Sequence, residues 1–145
     1  MSLALDTDVL IHWFMTGAPQ HRAVRAFLDQ ELDRGVPLAL GPQVLYEFLH
    51  VATDPRRFQN PLPMDEALDL VRHLWQAPET HQLPTAAPPD RVTTLMHRHF
   101  LGRKRILDTA LAATLEAARI HRLATFNRRD FEVFGFLEVV EPVVG

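Results

Sequence analysis

Short apolar runs alternate with longer segments in which apolar residues recur at helical spacing. Runs of strand character cover residues 3–5, 37–40, 122–125 and 137–140, and the centre of a proline-rich segment, 81–83, could form one more brief strand. Strands that alternate with helices are typical of a largely parallel sheet covered on both faces. The pattern therefore predicts an α/β domain with four to five strands.

Segments with apolar residues three and four positions apart predict the helices. They cover approximately residues 9–15, 20–33, 42–53, 64–76, 90–102, 108–115 and 127–134. In the fourth of these helices, the residues expected to face the core are Ala67, Leu68, Val71, Leu74 and Trp75. The segment that begins at Asp108 is apolar nearly all round, which predicts a central buried helix with Asp108 in its first turn.

Composition limits the class of protein. With 145 residues, 47% of them hydrophobic and 23% charged, the chain has the size and balance of one globular domain, expected to span residues 1–145. No apolar stretch approaches the roughly 18 residues of a membrane span, so we expect a cytoplasmic protein without membrane association. The absence of cysteine excludes disulfides and thiolate sites. A net charge of −3 argues against nucleic-acid wrapping by bulk electrostatics, although it allows a local site.

Acidic side chains stand at the ends of predicted strands or near the starts of predicted helices. They are Asp6 with Asp8, Glu47, Asp108 and Asp130. Taken singly, the aspartates could cap helices or stabilise a helix dipole, and Glu47 could be an ordinary exposed residue. Asp6, however, directly follows the first strand, and ligands bind at the carboxyl ends of strands in open α/β sheets.

Several carboxylates at one sheet edge would repel one another unless a cation lay among them. An all-oxygen site of this kind suits Mg²⁺ or Mn²⁺, which can activate water and offset the charge of a phosphodiester. The joint pattern therefore predicts metal-dependent phosphodiester hydrolysis.

Four motifs in order carry a resemblance to a known family. They read LDTDVL at 5–10, VLYEFL at 44–49, DTALAA at 108–113 and LATFNRRDF at 123–131. In order, spacing and total length this set resembles the PIN-domain ribonucleases, and within them the VapC toxins. The loop DPRRFQNPL at 54–62 is also similar to a segment of one VapC branch.

The resemblance implies a PIN fold and a Mg²⁺ or Mn²⁺ site that uses Asp6, Glu47 and Asp108. Asn127 occupies one commonly acidic position of the last motif, and Asp130 is favoured as the fourth catalytic and metal-binding acid, acting directly or through water. Asp8 replaces a common asparagine and would either bind the metal or orient Asp6. Two hydroxyl groups, those of Thr7 and Thr125, are expected to support the ligands from behind.

Basic residues flank two of the acidic motifs and are expected to hold the RNA backbone. They are Arg103, Lys104, Arg105, Arg128 and Arg129. The resemblance further implies a homodimer and inhibition by a small VapB-type antitoxin. Transfer, ribosomal and messenger RNA all suit the predicted site, so the target stays open.

Two other functions are weighed against this one. The sequence Asp6-Thr7-Asp8-Val9 also matches the opening of haloacid-dehalogenase-like phosphatases, but those enzymes need a lysine and a later acidic pair, and Lys104 is the only lysine. A PIN-like binding module with an incomplete acidic set is the second alternative, because Asn127 departs from the family pattern. Thermal stabilisation by Mn²⁺ would distinguish an active site from such a module.

Overall fold

The computed structural model describes residues 1–143 and contains a parallel five-stranded sheet. Its strands are β1 (Leu3–Leu5), β2 (Leu38–Leu40), β3 (Thr80–Gln82), β4 (Arg122–Ala124) and β5 (Glu138–Val140). They lie in the order β3-β2-β1-β4-β5, so β1 is central, and Ala4 pairs with Ala39 on one side and Leu123 on the other. The predicted sheet, including the brief strand near residue 81, is confirmed.

Seven helices connect the strands within the described residues. They are α1 (Thr7–Phe14), α2 (His21–Asp33), α3 (Pro42–Ala52), α4 (Met64–Gln76), α5 (Pro89–Arg98), α6 (Ile106–Ala117) and α7 (Arg128–Glu132), with a 3₁₀ turn at Arg103–Arg105. Helix α1 packs on α2 and α3, and α3 on α4, whereas α6 packs on α5 and α7. The connections β1→β2→β3 run along the sheet in one direction and β3→β4→β5 in the other, so right-handed crossovers put these two groups of helices on opposite faces. The predicted α/β class is confirmed. The predicted single domain spans residues 1–145, of which residues 144–145 lie outside the described residues.

The core is built from the central strands and one face of each neighbouring helix. Every residue of β1 and β2 is buried, as their continuous apolar sequences require for strands covered on both faces. Phe48 of α3 and Phe131 and Phe134 near the chain's end are fully buried. Helix α3 presents its expected apolar face, and Pro42 lies in its first turn, where the missing N–H costs least.

Three features of the fold either differ from the sequence-based prediction or were not foreseen by it. Leu68 was expected to face the core but is 45% exposed, because α4 has no described element over that part of its surface. Glu31 is only 4% exposed, since its carboxylate accepts a 2.7 Å hydrogen bond from the Arg122 guanidinium of β4. A third difference is at α1, which begins at Thr7 rather than at residue 9 because Asp6 caps it.

None of the helices in residues 1–143 has both the length and the apolar character needed to cross a membrane.

Candidate active site

The candidate site lies where the strand order reverses. The chain runs from β1 outward to β2 and β3, and then returns to the other side of β1 as β4. Such a reversal opens a crevice at the carboxyl ends of the strands. Asp6 follows β1 directly and Thr125 follows β4 directly, so both side chains lie at this crevice.

Asp6 is held rigidly in this position. One carboxylate oxygen accepts the Thr7 backbone N–H at 2.8 Å, which caps α1, and the other accepts the Thr125 hydroxyl at 2.8 Å. The Thr125 oxygen in turn accepts the Asn127 backbone N–H at 3.0 Å. Asp6 is 7% exposed, so its charge faces only the cleft in front of it.

Glu47 is fixed beside Asp6 by two donors. The Thr7 hydroxyl donates to Oε2 at 2.9 Å, and the side-chain amide of Gln43, one helical turn earlier on α3, donates to Oε1 at 3.2 Å. The same amide donates to the Leu107 carbonyl at 3.0 Å, which joins α3 to the start of α6. Gln43 therefore links helix α3, which carries Glu47, to helix α6, which carries Asp108.

Asp8, in the first turn of α1, has one satisfied and one unsatisfied oxygen. Its Oδ2 accepts the Phe126 backbone N–H at 3.1 Å, which ties α1 to the segment after β4. Its Oδ1 is buried and has no hydrogen-bond partner. A buried carboxylate oxygen without a donor is costly unless a proton or a cation satisfies it.

Arg105 brings positive charge to the other two acids. Its Nε lies 3.9 Å from the Asp108 carboxylate and 3.7 Å from that of Asp130, and one of its terminal nitrogens donates to the Asp130 carbonyl. The Nε itself makes no hydrogen bond, so the ion pairs are electrostatic and not bidentate. Arg105 thus joins the 3₁₀ turn, α6 and α7.

An open cleft of about 600 Å³ collects most of the predicted site residues. Those lining it are Asp6, Thr7, Asp8, Glu47, Asp108 and Asn127. Thr125 supports Asp6 from behind. Asp130 and the five predicted RNA-binding residues do not line the cleft. Of those five, Arg105 is partly buried among the acids, and the other four are exposed.

The clustered carboxylates shift one another's ionisation. Burial raises the pKa of Asp6 above its ordinary value, with smaller contributions from Glu47 and Asp130, although the hydrogen bonds from Thr125 and Thr7 oppose the change. Burial, together with the charge of Asp6, raises the pKa of Asp8 to about 7. Burial and the charges of Asp6 and Asp130 raise the pKa of Asp108 to about 6, against the influence of Arg105. Burial first, and mutual repulsion second, therefore disfavour the ionised forms of these three carboxyl groups.

The carboxylate oxygens of the cleft are suitable ligands for a hard divalent cation. One of them, Oδ1 of Asp8, is buried and has no hydrogen-bond partner. As they stand, however, no three acidic or histidine side chains among residues 1–143 are arranged so that they could hold a metal ion. Hydrogen bonds engage both oxygens of Asp6 and of Glu47, and Arg105 attracts Asp108. Metal binding by this set would require side-chain rotation, and the ligand roles stay predictions.

Sequence reasoning missed Gln43, which supports Glu47 from outside the cleft, and three residues that line the cleft. Gln43 could have been found from its position four residues before Glu47 on one helix face. His12, Arg57 and Phe58 also line the cleft. The His12 ring lies edge-on to Phe126 at 5.0 Å, and burial lowers its pKa. Arg57 and Phe58 come from the 54–62 loop, whose placement has no periodic pattern in the sequence.

The family model for the PIN domain matches residues 3–137 of this sequence. The chain belongs to the PIN-domain family. Its curated PIN-domain relatives include the ribonuclease VapC33 of Mycobacterium tuberculosis, which is 32% identical over 142 residues, covering 95% of this chain and 96% of the relative. VapC24 of the same organism is 28% identical over 141 residues, covering 97% of both chains. The resemblance to VapC proteins is thereby confirmed over nearly the whole chain.

Solved structures share the fold of this PIN-domain chain. Mycobacterium tuberculosis VapC20, described as a toxin that cleaves the sarcin–ricin loop, superposes with a TM-score of 0.68 at 16% identity, covering 97% of this chain and all of that one. A toxin–antitoxin complex from Klebsiella pneumoniae gives a TM-score of 0.63 at 20% identity, covering 97% of this chain and 98% of that one. At such identities the likeness establishes the fold.

Proposed function

We propose that this PIN-domain chain is an endoribonuclease of the VapC type, the toxin of a toxin–antitoxin pair. The observation that carries the proposal is the cleft at the strand-order reversal, into which separate elements bring Asp6, Asp8, Glu47 and Asp108. Burial and mutual repulsion disfavour the ionised carboxylates, a cost that a bound cation would offset, and acids with a divalent cation are suited to phosphodiester hydrolysis. Full-length relatives that are named ribonucleases support the same conclusion.

Asp6, Glu47 and Asp108 would hold Mg²⁺ or Mn²⁺, with Asp130 as the fourth acid directly or through water. When bound, such an ion activates water and offsets negative charge on the phosphodiester oxygens. The chain's own residues prepare this site: Thr125 and the Thr7 N–H orient Asp6, while Gln43 and the Thr7 hydroxyl orient Glu47. Such support of ligands from behind fixes their direction and raises metal affinity.

Two basic segments meet beside the cleft and would hold the RNA backbone. The Arg105 side chain donates to the Asp130 carbonyl, which brings the turn at 103–105 against α7. The segments that carry the exposed side chains of Arg103, Lys104, Arg128 and Arg129 are therefore joined by this contact. Arginine suits bidentate contact with phosphate.

The partners proposed are a VapB-type antitoxin and a second copy of the chain. The Klebsiella pneumoniae neighbour was solved as a toxin–antitoxin complex, which supports an antitoxin. An apolar surface on α3 and α4 supports a homodimer, since Tyr46, Met64 and Leu68 are 66%, 54% and 45% exposed there. Tyr46 and Leu68 line a groove of about 440 Å³ on this surface.

The test is incubation of purified protein with total RNA, with and without Mg²⁺ or Mn²⁺, beside the variant Asp6→Asn. We expect cleavage by the wild type only when a divalent ion is present, and loss of cleavage by at least about 100-fold in the variant, on the scale of a lost transition-state contact. Equal cleavage by both proteins would refute the assignment of the site. Thermal stabilisation of the wild type by Mn²⁺ would separate a working site from a PIN-like binding module.

A further inference from the structure

A second cavity of about 320 Å³ continues the acidic cleft on the side of the 54–62 loop. It lies between residues 14–17, at the end of α1, and residues 57–62, and we call it the side pocket. Three residues, Gly17, Arg57 and Phe58, line both the side pocket and the cleft. The two cavities therefore form one groove that begins at the carboxylates.

The loop that forms one wall of the side pocket is held in place by backbone and side-chain contacts. The Asp54 carboxylate accepts the Arg56 N–H at 2.8 Å, and the Asp54 carbonyl accepts the N–H groups of Arg57 and Phe58 at 3.1 and 3.2 Å. The Leu62 N–H donates to the Ala52 carbonyl at 2.9 Å, which closes the loop on the end of α3. The wall is thus formed before any ligand arrives.

The lining combines apolar surface with free hydrogen-bonding groups. Phe14 and Phe58 are partly buried aromatic residues that pack against the core. Thr16, Gln59 and Asn60 line the pocket and are solvent-exposed. Within residues 1–143 their side chains make no hydrogen bond with another residue. Arg57, whose side chain is 65% exposed, lies at the junction with the cleft.

Sequence-specific recognition of RNA uses this combination of groups. Unpaired bases are placed against aromatic side chains and hydrogen-bonded along their edges by polar side chains, while arginine binds the adjoining phosphate. The side pocket is at the small end of the range for ligand pockets, so it suits one flat group better than a helix of a protein partner.

We propose that the side pocket binds one unpaired base of a single-stranded RNA substrate, next to the phosphate cleaved at the acidic cleft, and that Gln59 and Asn60 determine which base is accepted. Arg57, at the junction of the side pocket and the acidic cleft, holds the phosphate that lies between them. The proposal rests on the ribonuclease function proposed above, and it makes these loop residues the determinants of cleavage sequence.

The experiment maps cleavage sites in a random-sequence RNA library by sequencing the product ends. Wild-type protein is compared with the double variant Gln59→Ala/Asn60→Ala and with Gln30→Ala, which removes an exposed glutamine of α2 outside both cavities. At one nucleotide position beside the cut, we expect the preference of the double variant for one base over the others to be about tenfold weaker than that of the wild type. This is the scale of one lost hydrogen bond. The Gln30→Ala protein should keep the wild-type preference.

A second variant, Asn60→Asp, exchanges an amide donor for an acceptor. Its preference is expected to move toward bases that present an amino group, such as cytosine. Preferences that stay within twofold of the wild type at every position in both loop variants would overturn the proposal.

Binding selection from the same library, done in the Asp6→Asn background, separates the two levels of inference. If the wild type cuts no RNA but binding still shows a base preference that Gln59→Ala/Asn60→Ala abolishes, the ribonuclease function fails and the pocket stands. If cleavage occurs and the loop variants change neither cleavage nor binding preference, the pocket fails and the ribonuclease function stands.

Discussion

Asp8 carries an energetic cost that one substitution should remove. In the metal-free protein its pKa is raised from 3.8 to about 7, chiefly by burial and by the charge of Asp6. Each pKa unit corresponds to about 1.4 kcal/mol, so ionised Asp8 destabilises the fold by roughly 3 kcal/mol after allowance for coupling to the other acids. In Asp8→Asn the amide oxygen can still accept the Phe126 N–H, while the charge is absent.

The sign of the pH dependence follows from the direction of the shift. A folded-state pKa above the unfolded value means that the folded protein binds more protons, so the contribution of Asp8 to stability is fully present below about pH 4 and is lost as the pH rises through about 7. We therefore expect metal-free Asp8→Asn to exceed the wild type by roughly 3 kcal/mol at pH 8 and to match it closely at pH 4.5.

Urea unfolding with a chelator present, at pH 4.5, 6 and 8, measures this difference. Asp33→Asn is the matched control, because it neutralises an exposed aspartate at the end of α2, away from the cleft. The control is expected to show no comparable gain at pH 8. A stability difference between Asp8→Asn and the wild type that does not change with pH would refute the electrostatic reasoning.

Three more changes probe the cation, the countercharge and the core. Saturating Mn²⁺, at 100 times its dissociation constant, should stabilise the wild type by about 2.7 kcal/mol in thermal unfolding, and an absent shift would contradict a metal site. In calorimetry the Arg105→Met variant should bind Mn²⁺ on the order of tenfold more tightly than the wild type, because the positive charge beside Asp108 is removed. Weaker binding by the variant would contradict this electrostatic role of Arg105. Glu31→Gln should lower the free energy of unfolding, measured in urea, by roughly 3 kcal/mol, because it leaves Arg122 without its charged partner. A change below about 1 kcal/mol would disprove a structural role for the pair.

Periodicity predicted the fold well wherever an element buries one face or both faces. Helix α3 is an example, because its apolar positions at 44, 45, 48 and 52 are all buried. The pattern failed at Leu68, since periodicity shows which face of a helix is apolar but not whether another element covers it. Periodicity made no prediction for Glu31, whose buried carboxylate depends on an arginine 91 residues away in sequence.

Topology alone brings part of the cleft together, and that part could be predicted from the sequence. Residues that directly follow parallel strands meet at one sheet edge, which accounts for Asp6 and for Thr125 behind it. The loop residues Arg57 and Phe58 follow no such rule, since their positions depend on turn contacts made by Asp54. The ligand roles of Asp6, Glu47, Asp108 and Asp130 all remain predictions, because side-chain rotamers and not topology decide which oxygens converge.

Arg105 shows how a run of like charges can divide its roles. Three consecutive basic residues, 103–105, indicated an RNA-contacting surface, but the 3₁₀ turn leaves Arg103 and Lys104 exposed and directs Arg105 toward Asp108 and Asp130. Because Arg105 neutralises part of the acidic cluster in the metal-free protein, an arriving divalent ion must compete with it. The residue that stabilises the metal-free site therefore also weakens metal binding, and metal affinity and metal-free stability should change in opposite directions when Arg105 is replaced.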